Sequence, residues 1–142
     1  MAIVNDLLEF LKGCPYLANF QNNPFPYVTV NSLGEYPDQY TIEPASTSEW
    51  VRKYTDGGGQ KQYLFVFASR FFHGSDIVTN VRNLAFFEKF SEWLEGIRPE
   101  IPNWIRVEPL TGGYLYQPDE GQDTARYQIQ CRVLYEHEGV IQ

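Results

Sequence analysis

The stretch that most restricts how this chain can fold is Gln60 to Phe72. In its middle, Tyr63, Phe65 and Phe67 alternate with Leu64, Val66 and Ala68. As a strand it turns apolar side chains to both faces of a sheet. A half-solvated edge strand does not carry that pattern. A central strand does, covered on both sides by helices or by a neighbouring subunit. The turn Asp56-Gly57-Gly58-Gly59 leads into it, and glycines accept the positive φ of tight hairpins. After His73-Gly74-Ser75 an amphipathic helix is expected from Asp76 to Gly96, with Ser75 or Asp76 as its cap. Its apolar positions fall in two sets: Ile77, Val81, Leu84, Phe87 and Leu94, then Phe86, Phe90, Trp93 and Ile97. Together they predict one wide stripe lying on the sheet, with Glu88, Lys89, Ser91, Glu92 and Glu95 mostly off it. The aromatic row reads as core rather than as a ligand box.

The rest of the chain supplies partners for this unit. Ile3 to Lys12 has helical apolar spacing (Ile3, Val4, Leu7, Leu8, Leu11), ended by Gly13 and Pro15. Tyr16 to Pro26 reads as a loop, broken by Asn22-Asn23-Pro24 and Pro26. Strands are expected at Tyr27–Asn31, at Tyr40–Glu43 after a turn at Gly34–Asp38, and at Trp50–Tyr54 after Ser46-Thr47-Ser48. Further strands are expected at Trp104–Glu108 and Tyr114–Tyr116, with Thr111-Gly112-Gly113 as the turn between them. The last strand has the cleanest alternation. Ala125, Tyr127, Ile129, Cys131, Val133 and Tyr135 face one side, and Arg126, Gln128, Gln130 and Arg132 the other. The tail from Glu136 to Gln142 is polar. Short turns between strands, with two helices outside, predict one α+β domain over residues 1–142. It is expected to be mainly an antiparallel sheet with two helices packed on one face.

A chain of 142 residues buries roughly two thirds of its unfolded surface, enough for one proper core. The net charge of −7 with scattered Lys and Arg argues against sequence-specific nucleic-acid binding, which needs clustered basic residues. Cys14 and Cys131 sit among apolar neighbours and read as buried thiols rather than a disulfide. The first residues carry no basic start before an apolar run, so no signal peptide is expected. No apolar stretch approaches a membrane span. A cytosolic product, or a particle component made in a cytosol, is the expectation.

Catalytic and metal signatures do not emerge. His73 and His137 have no second His or Cys at ligand spacing, and the cysteines lack CxxC spacing. No GxSxG, phosphate loop or GxGxxG is present. Asp56–Gly59 lies between strands rather than before a helix, so it reads as a hairpin tip and not a phosphate cradle. The acidic run Pro118–Asp123 lacks EF-hand spacing and reads as a solvated loop. No cofactor, metal or catalytic residue is expected. The Arg/Gln face of the last strand suits solvent, or a wet, hydrogen-bonded subunit interface.

The run Tyr54 to Arg70, the segments Gly112–Tyr116 and Asp123–Arg132, and the pieces Leu33–Glu35, Tyr40–Pro44 and Asn83–Phe90 resemble a family of short proteins from phages and prophages of Gram-positive hosts. These are labelled minor capsid or minor tail proteins. The resemblance spans about Leu33 to Tyr135 and is similar in size and layout to the tail terminator, or tail completion, proteins. It implies a structural virion protein without catalysis: a hexameric ring that caps the tail tube and joins it to the head connector or collar. Implied partners are other copies of the chain, the tail tube protein, and the sheath and head connector proteins. The implied location is the virion, or a phage-tail-like particle, assembled in the host cytoplasm. Contact roles are assigned to Asp56, Gly57, Gly58 and Gly59 and to Arg126, Gln128, Gln130 and Arg132. Two alternatives stand beside it. One is a head-tail connector or stopper ring. The other is a small ligand-binding domain or enzyme with an aromatic pocket.

Overall fold

The computed structural model describes residues 3–17, 27–34, 36–45 and 49–137. The expected loop at Tyr16–Pro26, the Ser46-Thr47-Ser48 lead-in and the tail beyond His137 lie wholly or mostly outside these residues. The elements run α1 (Ile3–Lys12), β1 (Tyr27–Val30), β2 (Gln39–Pro44), β3 (Glu49–Lys53), β4 (Gly59–Phe72), α2 (Ile77–Gly96), β5 (Trp104–Pro109), β6 (Tyr114–Pro118) and β7 (Thr124–His137). Among the described residues the seven strands form one mostly antiparallel sheet, ordered β1-β2-β4-β7-β5. β3 joins the start of β4, and β6 joins the start of β7.

The sheet is built on the pair β4 and β7. They run antiparallel over their full lengths, from Gly59 opposite His137 to Phe72 opposite Thr124. This bears out β4 as the central strand. One pairing departs from the expected antiparallel layout: β1 and β2 are parallel. The segment between them swings back through positive-φ Asn31 and Asp38, so β2 starts beside the start of β1. Asn31 N–H donates to the Ile42 carbonyl at 2.9 Å, and Ser32 N–H to Thr41 Oγ1 at 3.1 Å. Those bonds satisfy backbone groups that an ordinary hairpin would have paired.

Both helices pack on one face, that of Phe65, Phe67 and Phe71. Leu7 and Leu11 come from α1, and Phe87, Phe90 and Leu94 from α2; all are buried. Phe67 stacks on Phe90 with centroids 4.6 Å apart, and Tyr40 stacks on the same Phe67 at 5.6 Å. Phe10 of α1 meets Trp93 of α2 at 5.3 Å, joining the helices over the sheet. Each such ring removed from water contributes about 1.5–3 kcal/mol. Cys14 and Cys131 are buried, free thiols.

Asp76 caps α2: its carboxylate accepts from Val78 N–H at 3.0 Å and from Thr79 Oγ1 at 2.8 Å. The expected single stripe on this helix is corrected. Phe87, Phe90 and Leu94 are buried, whereas Ile77, Val81 and Leu84 are 75%, 58% and 42% exposed. Polar Asn83 takes the buried position in that first half, donating to the Phe72 carbonyl at 2.7 Å. The hydrophobic count marked both sets as core, but a helix on a flat sheet turns only part of its circumference inward.

No described helix is long and apolar enough to cross a membrane.

Candidate interaction surface

Residues directly opposite in an antiparallel ladder share a face, so the register defines the side away from the helices. From β4 it takes Gln62, Leu64, Val66, Ala68 and Arg70. Opposite them on β7 stand Leu134, Arg132, Gln130, Gln128 and Arg126. β2 adds Gln39, Thr41 and Glu43, and β5 adds Arg106 and Glu108. No described helix covers this side. The expectation of a strand covered on both faces is therefore met on one face only, within a single chain.

Four of the guanidiniums on this face, those of Arg70, Arg106, Arg126 and Arg132, are tied down. Arg126 grips Glu43 with two bonds of 2.6 and 3.0 Å, and its Nε donates to Gln128 Oε1 at 2.9 Å. Its guanidinium also lies over the Tyr116 ring, 5.1 Å from the centroid. Arg132 donates to Glu108 at 2.7 Å and to Gln62 Oε1 at 2.8 Å, and Arg106 adds a second contact to Glu108 at 3.2 Å. Arg70 pairs with Asp119 at 2.8 Å and donates to the Gly34 carbonyl. Tyr114 OH accepts from both Gln128 and Gln130, at 2.7 and 3.1 Å. Partial desolvation pushes the Glu108 carboxyl up, but the hydrogen bonds from Arg132 and Arg106 outweigh it and hold the group below the usual carboxylate range. The same balance, with bonds from Arg70 and Thr124, lowers Asp119. Asp119 is thus anchored rather than part of a freely solvated loop.

Within this frame Leu64 and Val66 remain half-exposed and apolar, while Ala68 is fully buried. An apolar centre with a polar, hydrogen-bonded rim is the anatomy of a protein interface.

The candidate contact residues divide accordingly. Arg126 and Arg132 are partly exposed and Gln130 is exposed, all on this open face. Gln128 is 6% exposed and serves the internal network. Asp56 and Gly57 form the exposed tip of the β3–β4 hairpin, whereas Gly58 and Gly59 are buried in it. Asp56 Oδ1 accepts from Gly58 N–H at 2.9 Å, and a Cβ on Gly59 would collide with the Arg52 carbonyl. Those two glycines serve the turn itself. At the base of the hairpin Trp50 lies under two ammonium groups, Lys53 at 5.0 Å and Lys61 at 4.5 Å. Glu43, Arg70, Glu108 and Tyr114 also belong to the network; their signal was strand parity, readable only once the register was known. Asp119, expected in a solvated acidic loop, joins them through Arg70.

Two concavities are notable. A cleft of about 500 Å³ is lined by Tyr36, Arg70, Phe72, Asp119 and Thr124. A pocket of about 320 Å³ is lined by Tyr16, Tyr40, Phe71, Phe86, Arg82 and Asn83. His73 Nδ1 lies 2.8 Å from Tyr127 OH. Among the described residues no group of three His, Cys, Asp or Glu side chains is placed to hold a metal ion. No protein-family model matches this chain, and no curated protein matches it.

Proposed function

We propose that this chain is a structural subunit of a phage or phage-tail-like particle: a tail terminator whose ring caps the tail tube and joins it to the head connector or collar. One observation carries the reading. The sheet's second face is left open, with Leu64 and Val66 half-exposed inside a frame of Arg–carboxylate pairs. A chain that keeps this face to itself leaves apolar surface wet; a neighbouring copy would cover it. The sequence resemblance over Leu33 to Tyr135 supplies the particle and the position in it. The tail tube protein is the first partner, with sheath and head connector proteins beyond the ring. Such a subunit needs no catalytic group or cofactor.

Purified protein is expected to form closed rings by light scattering and electron microscopy, and to cap tail tubes at one end. A phage lacking the protein is expected to make tails of irregular length. Rings that bind heads but leave tube length unchanged would favour the head-tail connector or stopper instead. The aromatic pocket beside Asn83 and Arg82 is what favours the rival reading, a ligand-binding domain or enzyme. A protein that stays monomeric at every concentration while a small molecule protects that pocket would establish the rival.

A further inference from the structure

The pocket of about 320 Å³ lies in the seam between α2 and the adjoining ends of β2 and β4. Its size is at the small end for ligand sites, which run from about 300 to 1,000 Å³. One wall is a cluster of three rings. Tyr40 and Phe86 stack with centroids 6.0 Å apart, and Phe71 meets them edge-on at 6.3 and 5.3 Å. Such a wall suits a flat or branched apolar body.

Three polar side chains on the same pocket lack the partners their chemistry calls for. Asp38, in the turn before β2, is fixed by a φ of 63° and by its N–H, which donates to the Arg70 carbonyl at 2.9 Å. Its half-buried carboxylate has no hydrogen bond or ion pair among the described residues. Burial raises this carboxyl above its ordinary value, and no donor or cation offsets the lost water. Asn83 is 7% exposed. Its Nδ2 donates to the Phe72 carbonyl at 2.7 Å, which turns Oδ1 the other way, an acceptor without a donor. That oxygen is not sealed in: among the described residues Ser69 Oγ alone is a fully enclosed side-chain atom without a partner. The Asn83 carbonyl therefore opens on the pocket. Arg82, beside it on α2, is exposed and makes no ion pair or hydrogen bond among the described residues. Asp76, lowered first by its bond from Thr79, also feels the Arg82 charge, but not at contact distance. Asp38 and Arg82 thus line one pocket with opposite charges and lie too far apart to pair.

We propose that this pocket binds a free α-amino acid as its zwitterion, the ammonium on Asp38 and the Asn83 carbonyl, the carboxylate on Arg82, and the side chain on the wall of Tyr40, Phe71 and Phe86. A plain cation would use Asp38 and Asn83 but be repelled by Arg82; a plain anion would do the reverse. A ligand with both charges close together satisfies all three groups. An ammonium brings three donors for the two acceptors, and a guanidinium takes both oxygens of a carboxylate. A residue inside a peptide has neither charge on its backbone, so the chemistry selects the free amino acid. The pocket is on the helix side of the sheet, at the end of β4 opposite the glycine hairpin, whereas Leu64 and Val66 face the other way. The site is therefore independent of the ring reading, and neither result decides the other.

Isothermal titration of the wild-type chain with L-phenylalanine and L-leucine tests this. Each is compared with the amine and the acid that keep one of its charges: phenethylamine and 3-phenylpropionate, isopentylamine and 4-methylpentanoate. At least one amino acid is expected to saturate with a Kd below about 1 mM, and its two analogues to bind at least about tenfold more weakly. Asp38→Asn keeps the side-chain shape at a φ that Asn tolerates, and Arg82→Gln alters an exposed helix position; circular dichroism checks that both fold. Asp38→Asn is expected to weaken the amino acid and the amine by about tenfold or more and to leave the acid unchanged. Arg82→Gln is expected to weaken the amino acid and the acid and to leave the amine unchanged. If Asp38→Asn does not fold, Arg82→Gln and the analogue series decide. No saturable binding of either amino acid up to about 10 mM would overturn the proposal. So would an analogue that binds as tightly as its amino acid, or folded variants that bind like the wild type.

Discussion

Arg126 of β7 reaches across the central strand to Glu43 of β2, closing two hydrogen bonds of 2.6 and 3.0 Å. The strand order is β2-β4-β7. Arg126 is level with Arg70, and Glu43 with Val66, so the bridge passes diagonally over Ala68. Ala68 is fully buried although it belongs to the open face, and its small side chain leaves room for the bridge.

This geometry changes what an Arg126 substitution tests. Arg126→Glu places a second carboxylate beside Glu43 and leaves Gln128 without its donor, so it is expected to weaken the monomer itself. In a double-mutant cycle, Arg126→Gln and Glu43→Gln should show a coupling of about 1–2 kcal/mol in urea unfolding, since a bidentate pair only partly exposed keeps more than a surface pair. Additive losses would mean that the pair contributes nothing. Ala68→Leu should disturb the same bridge by overpacking, at about 1–3 kcal/mol.

Gly59 has a φ of 154° and its missing Cβ faces the Arg52 carbonyl. Gly59→Ala is expected to destabilise by about 1–3 kcal/mol, because the strain and the collision add. Gly57→Ala, at φ 92° on the exposed tip, meets the backbone strain alone and should cost less. Equal losses in thermal unfolding would contradict this ranking.

Stability should fall on the acid side. Glu108 and Asp119 have carboxyls lowered in the folded protein, where guanidinium hydrogen bonds outweigh desolvation. Asp76 is lowered by its bond from Thr79 and the Val78 N–H. A carboxyl that is more acidic when folded contributes stability above its unfolded pKa, and that contribution disappears as pH falls through the folded value. The melting temperature is expected to be level from neutrality to about pH 5 and to drop below about pH 4. Asp38, raised by burial, opposes this trend. Glu108→Gln should flatten the acid limb; an unchanged slope would remove Glu108 as a contributor.

Both thiols should be silent in the native protein. Burial raises the Cys14 and Cys131 pKa values, which suppresses the reactive thiolate and blocks access. A thiol reagent should label neither until denaturant is added. Rapid native labelling of Cys131 would mean that β7 separates from its neighbours.

Much of the fold was legible because local chemistry spelled it out. The alternation in β7, the doubly apolar middle of β4, the glycine turn before it and the Asp76 cap each state a period or a backbone need that does not depend on distant residues. By itself, then, the sequence determined an α+β layout with β4 at its centre and a polar face on β7. Tertiary structure alone decided the rest. It made β1 and β2 parallel, exposed Ile77, Val81 and Leu84 while burying Asn83, and turned the Arg/Gln face into an internal network by bringing up Glu43 and Glu108. Those outcomes depend on which strands lie side by side and on how a helix rolls on a sheet. Residue spacing along one chain does not encode either, because both are settled by packing between segments far apart in sequence.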